Sequence, residues 1–387
     1  MSSGNIPYGK QEILEEDISA VVDVLKGDFL TQGPKISDFE EKFKSYIGSK
    51  YAVAVSNGTA ALHLSILALG IKRGQKVITS PLTFVATSNA ILYAGGVVDF
   101  CDINPDTLQL DLSKVQDKIA YAEPGTYAGI IPVDFAGLPV AMDGFKSLAE
   151  QHGLWVLEDA CHAPGGYYFN DEGRKQKAGD CAYADCAIFS FHPVKHIACG
   201  EGGMITTNNE NTYRKLLQLR SHGITKEAKE LQKNEGGWYY EMHTLGYNYR
   251  LTDISCALGI SQLNRARQNI EKRRSLAKNY EAALNQIEGI ELFPFQDGHA
   301  YHLYVIKVDH RKGLYDYLKK HNIFAQIHYI PVHTQPYYQK MGWQKGDFPI
   351  VESYYQKCLT LPLYPNLKPQ EQAFIIETIR SFQTLIS

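Results

Sequence analysis

From about residue 50 to 205, short runs rich in β-branched residues alternate with stretches of helical spacing, and this limits the possible folds more than any other feature of the sequence. The runs are KVITS (76–80), VVDFCDI (97–103), AGIIPVD (128–134), LWVLED (154–159), CAIFSF (186–191) and GMITT (203–207). Helices are predicted between them over 58–70, 84–94, 140–152 and 211–219. Strands that are apolar almost throughout, separated by helices, predict a mainly parallel sheet covered on both faces, hence the α/β class. In such sheets ligands collect beyond the carboxyl ends of the strands.

Farther along, residues 260 to 288 read as one long amphipathic connector helix rich in Arg, Lys, Glu and Leu. Beyond it, YHLYVIKVD, a helix over 311–320, FAQIHYIPV and a final helix over 368–383 predict a smaller α+β domain. The expected division is a large domain with its N-terminal segment over 1–260, then connector and small C-terminal domain over 261–387. A net charge of −3 gives no reason to expect nucleic-acid or anionic-membrane partners. The apolar stretch 77–100 is interrupted by Pro81, Thr83, Asn89 and Gly95, too often for a membrane helix. The N-terminus has no apolar core of the secretory kind, and the seven scattered cysteines form no CxxC pair. Reduced thiols and a cytoplasmic location are the expectation.

Three strand ends offer polar chemistry. In VAVSNGTAALHLS, Ser56 or Asn57 can cap a helix beginning near Gly58. The N–H groups of Gly58, Thr59 and Ala60, with the Thr59 hydroxyl, would then suit a phosphate. No GK[ST] follows, so this is no Walker loop, and no GxGxxG is present. In LWVLEDACHAPGG, Asp159 stands where an apolar strand gives out, with Glu158 beside it and His162 close behind. A carboxylate there needs a cation or donors, and a protonated pyridine nitrogen would serve. In AIFSFHPVKHIACGEGGM, the strand delivers Ser190 and His192, Pro193 turns the chain, and Lys195 follows. A lysine in such a recess loses hydration, and its neutral amine can attack a carbonyl. The CGEGG glycines are read as a tight turn back into the next strand.

Each feature also has a plainer reading: an ordinary capped helix, a turn-capping aspartate, a solvated lysine. His192, His196 and Cys199 could be zinc ligands by type, although their spacing matches no common zinc pattern and no fourth ligand is near. Together, the phosphate cradle, strand-end carboxylate and strand-end amine suit pyridoxal 5′-phosphate (PLP), which needs all three.

The segments FLTQGPKISDFEEKF, VAVSNGTAALHLS, SPLTFVATSNA, VDFAG, EDACHAPGG, FSFHPVKHIACGEGGMITT, WYYEMHTLGYNYRLTDISCALGISQL and AQIHYIPVH resemble the DegT/DnrJ/EryC1/StrS sugar aminotransferase family nearly end to end. That resemblance implies a fold-type I, aspartate aminotransferase-like architecture. It implies that Lys195 attaches the cofactor and shuttles protons, while Asp159 keeps the pyridine nitrogen protonated. Gly58, Thr59 and Ser190 would hold the phosphate, Phe84 would stack on the ring, and His162 would sit beside its phenolic oxygen. Asn248 would reach the phosphate from a second subunit, which implies a homodimer. Tyr8, Asp28, Phe29, Leu30, Thr31 and the stretch His328, Tyr329, Ile330 and Pro331 would line a nucleotide-sugar pocket, joined by Gly58, Ser190 and Asn248. Many relatives carry Gln in place of His162, so the ring-oxygen contact is expected to differ in protonation.

The implied reaction runs from L-glutamate, through the pyridoxamine 5′-phosphate form, to the C4 ketone of a UDP-linked 4-keto-6-deoxy-N-acetylhexosamine, in the pseudaminic-acid branch. A related nucleotide-sugar 4- or 3-aminotransferase is the near alternative. Sugar dehydratases of the family usually carry His in place of the lysine, so Lys195 argues against dehydration. A non-catalytic regulator on the same fold and a zinc hydrolase are the readings from other classes.

Overall fold

The computed structural model describes residues 4–386. Its centre is a seven-stranded sheet in the order Tyr51–Val55, Gly203–Thr207, Cys186–Ser190, Trp155–Asp159, Tyr127–Ile131, Lys76–Thr79, Val97–Phe100. Only Gly203–Thr207 runs antiparallel to its neighbours; the other pairings are parallel. The mainly parallel α/β sheet expected from the alternation is therefore present, with Tyr51–Val55 as an edge strand ahead of the first predicted run.

Alternation within the strands explains the two-sided cover. Val53, Val55, Val77, Leu157, Ile188 and Ile205 pack on one face against the helix Gly58–Ala68. On the other face Ala52, Ala54, Ala187, Phe189 and Met204 meet Phe39, Phe43 and Ile47 of the helix Pro34–Ile47. Farther along that face, Ile78, Ile130 and Val156 meet the helices Leu112–Ala120 and Met142–His152. Residues of period two thus feed opposite cores, which fixes register, since a one-residue slip would exchange the faces.

A second core surrounds the antiparallel strands Ile290–Leu292, Tyr304–Val308 and Cys358–Leu361, with helices Arg311–Lys320 and Pro369–Ile386. Two details differ from the sequence reading. The connector predicted over 260–288 is two helices, Asp253–Asn264 and Ala266–Leu284, broken at Arg265. The Arg265 guanidinium binds buried Asp17 and the Glu12 carbonyl, so a long-range ion pair coincides with the break and no Gly or Pro marks it. In addition, Ile6–Pro7 pairs in parallel with Ile323–Phe324, and Ile6 is buried in the C-terminal core. Residues 6–7 pack there, away from the central sheet.

Candidate active site

Beyond the carboxyl ends of the central strands lies a cavity of about 450 Å³, lined among others by Gly58, Thr59, Phe84, Asp159, Ser190 and Lys195. Asn57 caps the helix Gly58–Ala68, its side-chain oxygen accepting from the Ala60 N–H at 2.8 Å. That corrects the expectation for Ala60, whose N–H is already used. Among the described residues the Gly58 and Thr59 N–H groups have no such partner at the helix start, where the macrodipole also favours an anion. Gly58 is needed as glycine: a Cβ there would stand 3.0 Å from the Ser190 Cβ and fill the recess. Gly203 permits the same approach from the other side, since its Cβ would lie 2.5 Å from the Asn57 carbonyl oxygen. The CGEGG glycines thus divide their work. Gly200 alone of them takes positive φ, at 80°, while Gly203 serves close backbone packing rather than a turn.

Asp159 ends its strand buried, accepting from the Thr87 hydroxyl at 2.8 Å and the Cys161 N–H at 3.2 Å. The Thr83 hydroxyl in turn lies 2.8 Å from that of Thr87. Lys195, 36 residues on, extends into the same cavity, its Nζ 3.4 Å from Nε2 of His302. Burial pulls the Lys195 ammonium below its ordinary value, with Cys161 and Asp159 opposing. Burial also pushes the Cys161 thiol well up.

Around the lysine stand three buried imidazoles. The His162 and His302 rings are 4.3 Å apart, and His196 and His302 are 5.6 Å apart. Burial holds all three well below the usual histidine range, helped for His196 by the Arg273 charge and for His162 and His302 by that of Lys195 whenever it is protonated, so they are neutral. His162 Nε2 lies 3.3 Å from the Tyr329 hydroxyl, and burial keeps that phenol protonated. His328 bonds the Thr360 hydroxyl at 2.9 Å and packs on Tyr8, with burial and Lys195 bringing its pKa to about 3. Phe84 is exposed at the rim, its ring 6.1 Å from that of Tyr329.

Of the residues singled out in the sequence, Tyr8, Gly58, Thr59, Phe84, Asp159, His162, Ser190, Lys195, His328 and Tyr329 all line this one cavity. Ile330 and Pro331 continue past it, Ile330 toward solvent. Asp28, Phe29, Leu30, Thr31 and Asn248 are exposed elsewhere on the same chain. Thr31 pairs with Thr252, Leu30 accepts from the Asp253 N–H, and Asn248 pairs with Ser221. The zinc grouping is not assembled. His192 faces solvent, His196 bonds the Ala300 carbonyl, and Cys199 packs toward Phe39 and Gly259. No group of three or more metal-ligand side chains occurs among the described residues. All seven cysteines are free thiols.

Sequence reasoning missed Thr83, Thr87 and His302. The threonines sat in SPLTFVATSNA without a stated role; His302 lay in YHLYVIKVD, read only as a strand. Nothing local in the sequence marked either group, since their partners lie far away in the chain.

Fold and site together define a pyridoxal-phosphate-dependent aminotransferase acting on sugars. The chain belongs to the DegT/DnrJ/EryC1/StrS aminotransferase family, whose model matches residues 11–380. It is 40% identical to the spore coat polysaccharide biosynthesis protein SpsC of Bacillus subtilis, over 97% of this chain and 96% of that one. It superposes with a TM-score of 0.88 on Helicobacter pylori PseC, an aminotransferase of pseudaminic-acid biosynthesis, at 29% identity over 98% and 100% of the two chains. A Streptococcus pneumoniae protein solved in its PMP form matches with a TM-score of 0.90, at 27% identity over 99% and 100%. The same protein has been solved with PLP. The residues present fit this cofactor: a recess that a Cβ at Gly58 would fill, free N–H groups, a buried carboxylate and a desolvated amine converge on one cavity.

Proposed function

We propose that this chain transfers an amino group from L-glutamate to the C4 ketone of a UDP-linked 4-keto-6-deoxy-N-acetylhexosamine, as a cytoplasmic homodimer. The observation carrying the reading is the meeting of Lys195, Asp159 and the Gly58–Thr59 helix start in one cavity. Bound PLP supplies an aldehyde carbon that accepts the amino group and a ring that withdraws electrons from it. The chain supplies the rest. Gly58, Thr59 and Ser190 hold the phosphate through N–H and hydroxyl donors. Asp159, fixed by Thr87 and the Cys161 N–H, holds a proton at the ring nitrogen. Phe84 covers a ring face, and neutral His162, bonded to Tyr329, meets the ring oxygen. Lys195, whose ammonium is disfavoured by burial, carries the proton at its Nζ between the two carbons that exchange it.

Tyr8, His328 and Tyr329 form the substrate side of the cavity. Asn248 and residues 28–31 complete the pocket of a second copy. Exposed apolar Phe29, Leu30, Met242 and Leu245, close in sequence to these segments, support such an interface. Among the described residues no helix is long and apolar enough to cross a membrane. The likeness to PseC supports the pseudaminic-acid branch. The higher identity to SpsC favours a second reading, another keto-sugar of a surface polysaccharide aminated at C4 or C3.

A panel of UDP-linked 3- and 4-keto sugars, incubated with L-glutamate and followed by mass spectrometry of the products, tests the reading. Amination of the 4-keto-6-deoxy-N-acetylhexosamine is expected. Amination confined to other keto sugars would transfer the assignment to the second reading, and inertness toward all of them would reject both. The lysine is tested separately: borohydride reduction followed by proteolysis should leave a phosphopyridoxyl group on the peptide containing FHPVKHIACGEGG. An adduct on any other lysine refutes the role of Lys195.

A further inference from the structure

His302 approaches Lys195 from a part of the chain that carries none of the proposed cofactor contacts. It lies two residues before the strand Tyr304–Val308 of the C-terminal core, yet its Nε2 lies 3.4 Å from Lys195 Nζ. The ring is 5% exposed and neutral, tilted at 42° against that of His162, and its Nδ1 has no hydrogen-bond partner among the described residues. That orphan atom selects the tautomer. A buried N–H without an acceptor is among the rarest features of folded proteins, whereas an unsatisfied acceptor is tolerated better. The proton therefore belongs on Nε2, facing the lysine, and Nδ1 keeps its lone pair. His196 shows the same arrangement, with Nε2 facing the Ala300 carbonyl and Nδ1 unpartnered.

An imidazole N–H can donate to an amine only where the amine offers a lone pair, that is, as the free base. We propose that His302 is a positioning residue for Lys195, its Nε2–H donating to the amine's lone pair and holding that amine aimed into the cavity as a free base. The proposal rests on the role assigned to Lys195 above. The amine must be uncharged both to take up the cofactor and to accept a proton, and it is detached from the cofactor for part of each cycle. His302 gives it a fixed partner during that interval.

Several other titratable groups surround Lys195, and Tyr8, His192, Glu201 and Tyr329 line the same cavity. From the strand Trp155–Asp159 and the turn after it come Asp159, Cys161 and His162; His196 is its sequence neighbour; His328 stands across the cavity. Asp159 favours the ammonium, while burial of the site opposes it. Among these groups His302 is the one within hydrogen-bond reach of Nζ.

The test uses the full-length chain freed of PLP. Lysines are labelled with acetic anhydride across a pH series, and the labelling rate of the peptide holding Lys195 is compared with that of exposed lysines. His302→Leu keeps an apolar filling and removes the donor; His302→Gln can place its amide N–H near the lost Nε2. In His302→Leu the midpoint of Lys195 labelling should rise by about 0.5–1 pH unit, slowing its reaction below the midpoint by about 3- to 10-fold. His302→Gln should restore most of the rate. Should the leucine variant not fold, His302→Asn, whose shorter amide falls short of Nζ, takes its place. A midpoint that stays put or falls in the donor-less variant overturns the proposal, as does equal displacement in the leucine and glutamine variants. The borohydride adduct is independent of this bond, so failure of the Lys195 assignment would be recognised separately.

Discussion

Gly203→Ala tests whether the phosphate recess depends on the backbone approach that glycine allows. Gly203 lies opposite Val55 and Ser190 in the sheet, with both neighbouring strands fixed by ladder hydrogen bonds. A methyl group there would stand 2.5 Å from the Asn57 carbonyl oxygen, 2.6 Å from its carbon and 2.9 Å from the Gly58 nitrogen. All three are backbone atoms, so no side-chain rotation relieves the overlap. Overpacking of this kind costs about 1–3 kcal/mol, here by displacing the Asn57–Gly58 link. That link carries the helix cap and the Gly58 N–H proposed to meet the cofactor phosphate. A hydrogen bond to a charged group contributes about 1.5–3 kcal/mol, so losing one should weaken PLP binding by about 10- to 150-fold. Absorbance titration of the cofactor-free variant with PLP measures the affinity, and thermal melting measures the stability. Gly237→Ala, where an added Cβ meets nothing within 4 Å, is the control and should change neither. Wild-type affinity and melting temperature in Gly203→Ala would refute the packing argument.

Asp159→Asn should still bind PLP and stay yellow, with turnover reduced by about 10²–10³-fold; near-normal turnover would exclude the proposed hold on the ring nitrogen. Subunits carrying Asn248→Ala mixed with subunits carrying Lys195→Ala should recover one intact site per mixed dimer, whereas no recovery despite proven exchange would place both residues in one chain's site. Asp17→Asn breaks a buried ion pair with Arg265 and should cost about 3–5 kcal/mol in denaturant unfolding at neutral pH. Burial works to raise the Asp17 carboxyl, but hydrogen bonds led by Arg265 outweigh it and leave the group below its ordinary value. Its contribution is therefore complete above the ordinary carboxylate range and lost on acidification, so the gap between wild type and variant should narrow below about pH 4; a gap independent of pH would refute the linkage.

What could be read from the sequence follows from the range of the forces involved. The strands Lys76–Thr79, Trp155–Asp159 and Cys186–Ser190 declare themselves through local runs of apolar and β-branched residues, and their helices through spacing. The break at Arg265 does not, because helical periodicity continues through it and the ion pair beside it joins residues far apart in the chain. Likewise Ile6–Pro7 is two residues long, too short for any pattern, and is defined by its partner Ile323–Phe324.

The candidate site divides along the same line. Asp159, Ser190 and Lys195 could be proposed because each is polar at the end of an apolar strand, and a parallel sheet brings such ends together without further information. Thr87 and His302 carry no such mark. One is a threonine within a helix and the other precedes a strand of a different core, and only the closed fold shows that they meet Asp159 and Lys195. Asn248 and residues 28–31 are a third case. In one chain they are exposed and paired with each other's neighbourhood through Thr31–Thr252, Leu30–Asp253 and Ser221–Asn248, away from the cavity. Their proposed place is in the site of another copy, and the exchange of mixed subunits is the experiment on which that shared-site reading depends.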